Sequence, residues 1–260
     1  NQKLVLKTVS ENDSALDGVF DNELVRVLSG TSLEFIVDND MFILGEESSD
    51  HLIGGEDNDA LDGGSGNDIL EDYSGGDDVF IGGLGDDTLV DSSEGDDIFI
   101  GGKGNDTIED WGSGNDTYHF NIGDGQDTIE DHLGTDKLVF GAGITTDIIS
   151  ARRTDSDGLA LNIGDNGDQV TLLEWFNDSD YQLESIEFMD GTVWTSTDLH
   201  NLTLVVDGSE GNDSMFVPDA NDYTLNGLGG NDYMEGGIGS DVLDGGSGND
   251  ILEDYSGGDD

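Results

Sequence analysis

Gly63-Gly64-Ser65-Gly66-Asn67-Asp68-Ile69-Leu70-Glu71 is the stretch whose reading decides the fold. Two later stretches echo it, Gly82 to Val90 (GGLGDDTLV) and Gly101 to Glu109 (GGKGNDTIE). The first six residues make a sharp turn, because glycine takes positive φ cheaply and lets another backbone come close. The Asp closes the turn with a carboxylate. The last three residues make a very short strand whose middle side chain, Leu70, Leu89 or Ile108, points inward. One such unit cannot bury its apolar residue, whereas a stack of them can, which is the logic of a solenoid.

Outward from this stretch the aspartate recurs at Asp40, Asp50, Asp59, Asp68, Asp78, Asp87, Asp97, Asp106 and Asp116, in steps of nine or ten. Two steps make one coil of about 19 residues in a flattened two-sheet spiral. Alternate turns then stack on opposite edges. One edge carries Asp50, Asp68, Asp87 and Asp106, the other Asp59, Asp78, Asp97 and Asp116. Same-edge aspartates are expected about 4.8 Å apart, one strand spacing. Carboxylates that close repel, and a cation between them is the natural resolution. The expected inward row reads Phe42, Leu52, Leu61, Leu70, Phe80, Leu89, Phe99, Ile108 and Tyr118.

Composition agrees. The chain has 61 acidic and 7 basic residues, a net charge of −54, and 41 glycines. Such charge opposes compaction through self-repulsion and excludes nucleic acid and anionic membrane as partners. Oxygen-only ligands point to a hard cation, and many carboxylates with carbonyls favour calcium over magnesium. Cysteine is absent, so there is neither a disulfide framework nor a thiolate site. No run of about 18 apolar residues offers a membrane span.

The pattern resembles the RTX family, the haemolysin-type calcium-binding nonapeptide repeats of secreted bacterial proteins, over residues 40–127 and 208–260. The resemblance implies an all-β parallel β-roll with one calcium between successive same-edge turns, about ten ions in all. It implies that one turn gives the carbonyls of its second and fourth positions and its Asp. The next same-edge turn then gives the carbonyls of its first and third positions and its Asp. Carried over, one site is Gly64, Gly66 and Asp68 with Gly82, Leu84 and Asp87. The next is Gly83, Gly85 and Asp87 with Gly101, Lys103 and Asp106. On the other edge Gly75 and Asp78 face Glu94 and Asp97. The same assignment takes in Asp50, Asp59, Gly63, Ser65, Tyr73, Gly102, Gly104, Gly112, Gly114, Asp116 and Asp127. Later in the chain it adds Asp213, Asp222, Gly227, Gly229, Asp232, Gly236, Gly237, Ile238, Gly239, Asp241, Gly245, Ser247, Asp250 and Asp260. Asp57 stands in place of a turn glycine, and Glu46-Glu47-Ser48 replaces most of another turn.

Four segments are expected: an N-terminal β segment (1–38), a first roll (39–127), a β-rich cap (128–206) and the start of a second roll (207–260). Residues 1–38 carry no glycine turn, and Leu4-Val5-Leu6, Leu24 to Leu28 and Leu33 to Val37 read as strands that either cap the roll or end a preceding module. Residues 117–206 break the period. Their DTYHF, GDGQDTIED, GTDKLVF and LESIEF resemble the haemolysin-type related domain, which the resemblance makes a cap that nucleates folding. A cap is needed because a growing roll ends in unpaired strand edges. Thr195 to Asn201 reads as a helical turn. Residues 244–260 repeat residues 62–78 identically, 182 positions later, so a piece of a longer, modular protein is expected.

Catalysis finds no support. His51, His119, His132 and His200 have no partner spacing, and no HExxH, GxSxG or phosphate loop occurs. The single proline, Pro218, follows Val217, so a self-cleaving Asp-Pro bond is excluded. Asp155-Ser156-Asp157-Gly158 opens like an EF-hand loop without its downstream ligands. Trp175 and Trp194 are expected to pack, and Trp111 to lie on an edge. The turns lack the regular Thr and Asn row that ice binding requires. Val79, Ile81, Ile98 and Ile100 form an outward apolar stripe, expected to be covered by the 144–206 region or by a second copy. The expected role is a calcium-dependent structural module of a secreted or cell-surface RTX protein, exported by type I secretion machinery. The competing readings are an adhesive module whose cap recognises a glycan or host surface, and a non-catalytic part of an RTX enzyme or pore-forming toxin.

Overall fold

The computed structural model describes residues 23–26, 32–34, 41–45, 47–154, 158–203, 205–217 and 223–254. These fall into two compact units divided between Ser196 and Thr197. The first is built from two nine-stranded sheets. Along the chain, strands alternate between them. Ala60–Ser65, Val79–Leu84, Ile98–Lys103, Thr117–Phe120 and Lys137–Phe140 join the first sheet. Ile69–Asp72, Thr88–Asp91, Thr107–Asp110 and Gln126–Glu130 join the second. Neighbours among these strands are parallel, so each pair of successive strands makes one coil of a β-roll.

The register puts like on like. Leu61, Phe80, Phe99, Tyr118 and Leu138 pair in line on one sheet, and Leu52, Leu70, Leu89, Ile108 and Ile129 on the other. All ten are buried. Phe80 and Phe99 stack with centroids 4.9 Å apart and planes 8° from parallel, and Phe99 on Tyr118 at 5.2 Å and 14°. These distances are close to the strand spacing itself, so the aromatic column grows in step with the sheet.

The first coil departs from the expected row. Ile43, not Phe42, pairs with Leu61 and is buried, while Phe42 pairs with Ala60 and is half-buried. Continuing that register places Met41 opposite Asp59, where the count of aspartates pointed to Asp40. A one-residue slip exchanges the faces of a strand. Here the pairing follows the glycine turn, where the Gly45 amide donates to the Asp62 carbonyl at 2.7 Å. The coil is 18 residues long rather than 19.

The strands Glu23–Arg26 and Ser32–Glu34 pair in parallel with Met41–Leu44 and His51–Ile53, so the N-terminal segment adds one more strand to each sheet. Leu4-Val5-Leu6 lies outside the described residues. At the other end the roll runs past 127. The parallel stack stops only where antiparallel hairpins join each sheet: Ser185–Glu187 with Val193–Thr195, and Asp168–Leu172 with Leu159–Ile163 and Ile149–Arg153. The last of these strands carries Arg152 and Arg153, two of only seven basic residues. Arg153 lies 4.5 Å from the centre of the Phe176 ring. Charge on a terminal strand discourages further strand addition. Phe120, Phe140, Phe188 and Trp194 pack in succession beneath this end, and Trp175 is fully buried.

The described strands between 149 and 195 extend the two sheets, and Val79, Ile81, Ile98 and Ile100 are half-buried on the outer face. A helix, Ser196–Leu202, begins at the division and buries Leu199, and in the second unit short parallel strands enclose Met215, Tyr223, Leu225 and Met234.

Candidate metal centres

On the first edge the turn is forced into one shape. Gly64 and Gly66 take φ of 88° and 140°, and Gly83, Gly85, Gly102 and Gly104 repeat this. Coils also come too close for side chains. A Cβ on Gly83 would sit 2.3 Å from the Gly64 carbonyl oxygen, and one on Gly85 1.6 Å from that of Gly66. The carbonyls of the second and fourth turn positions thus face the next coil. Those of the third position, Leu84 and Lys103, accept the amides of Gly66 and Gly85 at 2.8 Å.

The aspartates form a ladder. The Asp50 amide donates to Asp68 Oδ1, Asp68 to Asp87, Asp87 to Asp106 and Asp106 to Asp127, at 2.7–3.1 Å. Each carboxylate is thereby held under the preceding coil. The second oxygens of Asp68, Asp87 and Asp106 are buried without a hydrogen-bond partner. A Cβ on Gly63 would lie 2.6 Å from Asp68 Oδ2 and 2.8 Å from the Gly82 carbonyl. On Gly82 it would lie 2.6 Å from Asp87 Oδ2 and 2.5 Å from the Gly101 carbonyl. Glycine thus keeps open a space on which carboxylate and carbonyl oxygens of two coils converge. Buried oxygens without donors are costly. A hard cation satisfies them, and the donor set, all oxygen, fits calcium.

The second edge has the same ladder, Asp59 to Asp78, Asp97, Asp116 and Asp136 at 2.6–2.8 Å, ending on Glu184 Oε2. It also has a second acidic row. Asp72, Asp91 and Asp110 end their strands in register, and Asp131 follows the next strand. All four are buried. They stand where the first edge has Gly63, Gly82 and Gly101, two residues after the inward apolar residue, and the turn beyond is one residue longer. Counting along the turn aspartates missed this row. The signal was present, an acid two residues after Leu70, Leu89 and Ile108 in ILED, TLVD and TIED. At the cap end the Tyr118 hydroxyl lies between Asp110 and Asp131, 2.8 Å from Asp110 Oδ2. One carboxylate oxygen from each of Asp72, Asp78 and Asp91 lies within 4.8 Å of the others, and the same holds for Asp110, Asp116 and Asp131.

Burial is the largest cause raising these carboxyls above the ordinary aspartate value, with neighbouring carboxylates adding to it and the ladder amides opposing it. Asp68, Asp87 and Asp106 rise to about 6, and Asp78 and Asp97 to about 8. Burial likewise pushes up Asp110, Asp116 and Asp131, with neighbouring carboxylates adding to it for the latter two. The ion-free edges are thus proton-hungry, as closely spaced buried acids must be.

The remaining expected residues fall as follows. Gly112 is buried and its amide donates to Asp110 Oδ1 at 2.9 Å, while Gly114 bridges to Gly134 in the next coil. Tyr73 and Glu94 are exposed on the second edge, beside Gly75. In the second unit the Asp213 amide donates to Asp232 and Asp232 to Asp250. Gly227 and Gly245 keep Cβ space beside Asp232 Oδ2 and Asp250 Oδ2, Gly236 beside Asp241, and Gly229 pairs with Ser247. Gly237, Ile238 and Gly239 form the turn before Asp241, with Ile238 exposed. Asp222 lies outside the described residues, and the amide that donates to Asp241 Oδ1, at 2.7 Å, is that of Tyr223, 18 residues earlier. Tyr223 matches Met41 at the 182-residue offset. Asp260 and Asp155 to Asp157 also lie outside the described residues. Trp111 is exposed on the edge, as expected, and stacks on His132 at 4.3 Å.

Comparison with known proteins agrees with this geometry. Residues 42–70, 74–89, 91–125 and 224–252 match the family described as RTX calcium-binding nonapeptide repeat (4 copies). Residues 159–198 match the haemolysin-type calcium binding protein related domain. No curated protein matches the chain. Among solved structures the chain is similar to the extracellular lipase LipA from Serratia marcescens, at 19% identity and a TM-score of 0.25, over 58% of this chain and 40% of that one.

Proposed function

The chain belongs to the RTX proteins, and from that premise we propose that it is a module that folds when it meets extracellular calcium, coupled to type I secretion of a larger protein. Its repeats form a calcium-binding structural β-roll. The observation that carries the reading is the set of buried, unpartnered Asp68, Asp87 and Asp106 oxygens beside carbonyls that glycine leaves uncovered. Asp50, Asp59 and the remaining turn aspartates, with the carbonyls named above, would hold about ten ions, one per adjacent pair of same-edge turns. When bound, calcium supplies the positive charge that a chain of net charge −54 lacks. Ion-binding energy is then folding energy, because the unfolded chain has no preformed site. Modules of this kind bind at roughly 10⁻⁴–10⁻³ M, so the sites empty in cytosol and fill outside. Among the described residues no helix is long and apolar enough to cross a membrane.

On this reading the role is structural rather than catalytic. An adhesive reading draws on one observation, the exposed edge Trp111 stacked on His132. A glycan screen of the calcium-loaded chain tests it. The primary test is a calcium titration followed by circular dichroism and light scattering, with magnesium as control. A cooperative coil-to-β transition near millimolar calcium, with a shrinking radius and no magnesium response, is expected. A chain already folded in chelator at about pH 8 would overturn the proposal.

A further inference from the structure

The second edge holds a feature that the turn repeat does not require. Asp72, Asp78 and Asp91 come from two successive coils and are 0%, 1% and 0% exposed. Each has one oxygen anchored by a backbone amide. Asp72 Oδ1 accepts from Ser74 at 2.8 Å, Asp78 Oδ1 from Asp59 at 2.7 Å and Asp91 Oδ2 from Ser93 at 2.8 Å. The other oxygen of each, Asp72 Oδ2, Asp78 Oδ2 and Asp91 Oδ1, is buried with no partner. One oxygen from each carboxylate lies within 4.8 Å of the others. That is the greatest separation two oxygens have around a single ion at about 2.4 Å. Three carboxylates in such a space repel strongly unless something positive joins them. The backbone makes room for the group. Gly54 pairs opposite Asp72, and a Cβ there would sit 1.9 Å from Asp72 Oδ2.

We propose that Asp72, Asp78 and Asp91 form a three-carboxylate divalent-cation site, chemically distinct from the carbonyl-rich sites of the first edge and the first to fill. The inference rests on the calcium-roll reading above and adds ligands to it from the strand-end row, Asp72 and Asp91. Ligand charge and rigidity set calcium affinity in oxygen sites. Here the charge is three rather than two, and once the coils stack each carboxylate is held by a backbone amide. The matching trio near the cap, Asp110, Asp116 and Asp131, differs because the Tyr118 hydroxyl already sits between Asp110 and Asp131. The site therefore belongs to the middle of the roll. Its filling would pin two coils together before the weaker sites load.

Calorimetric titration of the calcium-depleted full chain tests this, comparing the unaltered protein with Asp72→Asn/Asp91→Asn and with Asp87→Asn on the opposite edge. The unaltered chain should show a first phase about tenfold tighter than the rest. The double variant should lose one ion and that phase, whereas Asp87→Asn should lose ions from the weaker phase only. An unchanged ion count and first phase in the double variant overturns the site while leaving the calcium roll standing. No calcium binding by the unaltered chain overturns both. Should the double variant stay unfolded in calcium, anomalous scattering from terbium-loaded crystals of the unaltered chain decides. A peak among Asp72, Asp78 and Asp91 supports the site, and peaks confined to the first edge overturn it.

Discussion

The two edges of this roll are made by the same nine-or-ten-residue unit, yet they present different chemistry. On the first edge glycine follows the inward strand residue by two, and the open space is lined by backbone carbonyls and one aspartate row. On the second, aspartate stands at that position, the turn gains a residue and two acidic rows are buried side by side. The first edge is governed by how near two backbones come. The second is governed by how many carboxylates share a buried space. A single residue, Gly63 against Asp72, decides between a carbonyl-rich and a carboxylate-rich site, because removing a Cβ admits backbone and adding a carboxylate displaces it.

The largest expected effect breaks the comparison at its geometric root. Gly85→Val on the first edge would place a Cβ 1.6 Å from the Gly66 carbonyl at a φ of 129°. It should cost roughly 3 kcal/mol or more and abolish the calcium-induced β signal in circular dichroism. Gly75→Ala on the second edge meets only the Glu94 carbonyl at 3.7 Å. Its cost should be limited to backbone strain of roughly 1–2 kcal/mol, with folding retained at higher calcium.

Next comes pH. Folded-state values of about 6 for Asp68, Asp87 and Asp106 and about 8 for Asp78 and Asp97 lie above the ordinary 3.8. The ion-free fold therefore holds protons more tightly than the unfolded chain. Its stabilisation is complete below about pH 3.8 and is lost as pH rises through 6 on the first edge and 8 on the second. Calcium-depleted protein should show its strongest β signal in acid and lose it in steps towards pH 8. With calcium the dependence reverses, and the midpoint concentration should climb as pH falls below 8, since protons compete with the ion. A flat pH response of the calcium-depleted chain would remove the electrostatic half of the comparison.

Smaller in size, Tyr118→Phe sharpens the second edge. Removing the hydroxyl between Asp110 and Asp131 leaves buried oxygens unsatisfied, at about 1–3 kcal/mol in the absence of calcium. Thermal melts of the calcium-depleted chain in acid, where its β signal is strongest, should show a lower midpoint for this variant than for the unaltered chain. The smallest effect is expected from Ile81→Asp with Ile100→Asp, on the outer face between the edges. The calcium midpoint should hold, and sedimentation should report whether a second copy covers the half-buried stripe.

Much of this was legible in residue order. The glycine-aspartate period placed the turns on two edges, and the amide-to-carboxylate ladders follow that division. The inward row was legible from Leu52 to Tyr118, because a side-chain period of two leaves one face for the apolar residue. Asp40 and Asp222 lie outside the described residues, and 18-residue coils put their neighbours Met41 and Tyr223 in register with Asp59 and Asp241. The strand-end row was missed because counting one aspartate per turn passes over Asp72, Asp91 and Asp110, which come side by side only once the coils are stacked.

By itself, then, the sequence determined the solenoid and the oxygen-only chemistry of its edges. Periodicity, glycine and charge are local properties that each unit carries whole. Only the tertiary structure decided which carboxylates meet, which oxygens are left without a donor and where a glycine is an open space rather than a hinge. Those depend on residues 18 to 21 positions apart being brought one strand spacing from each other, and the spacing between coils exists only once the stack has formed.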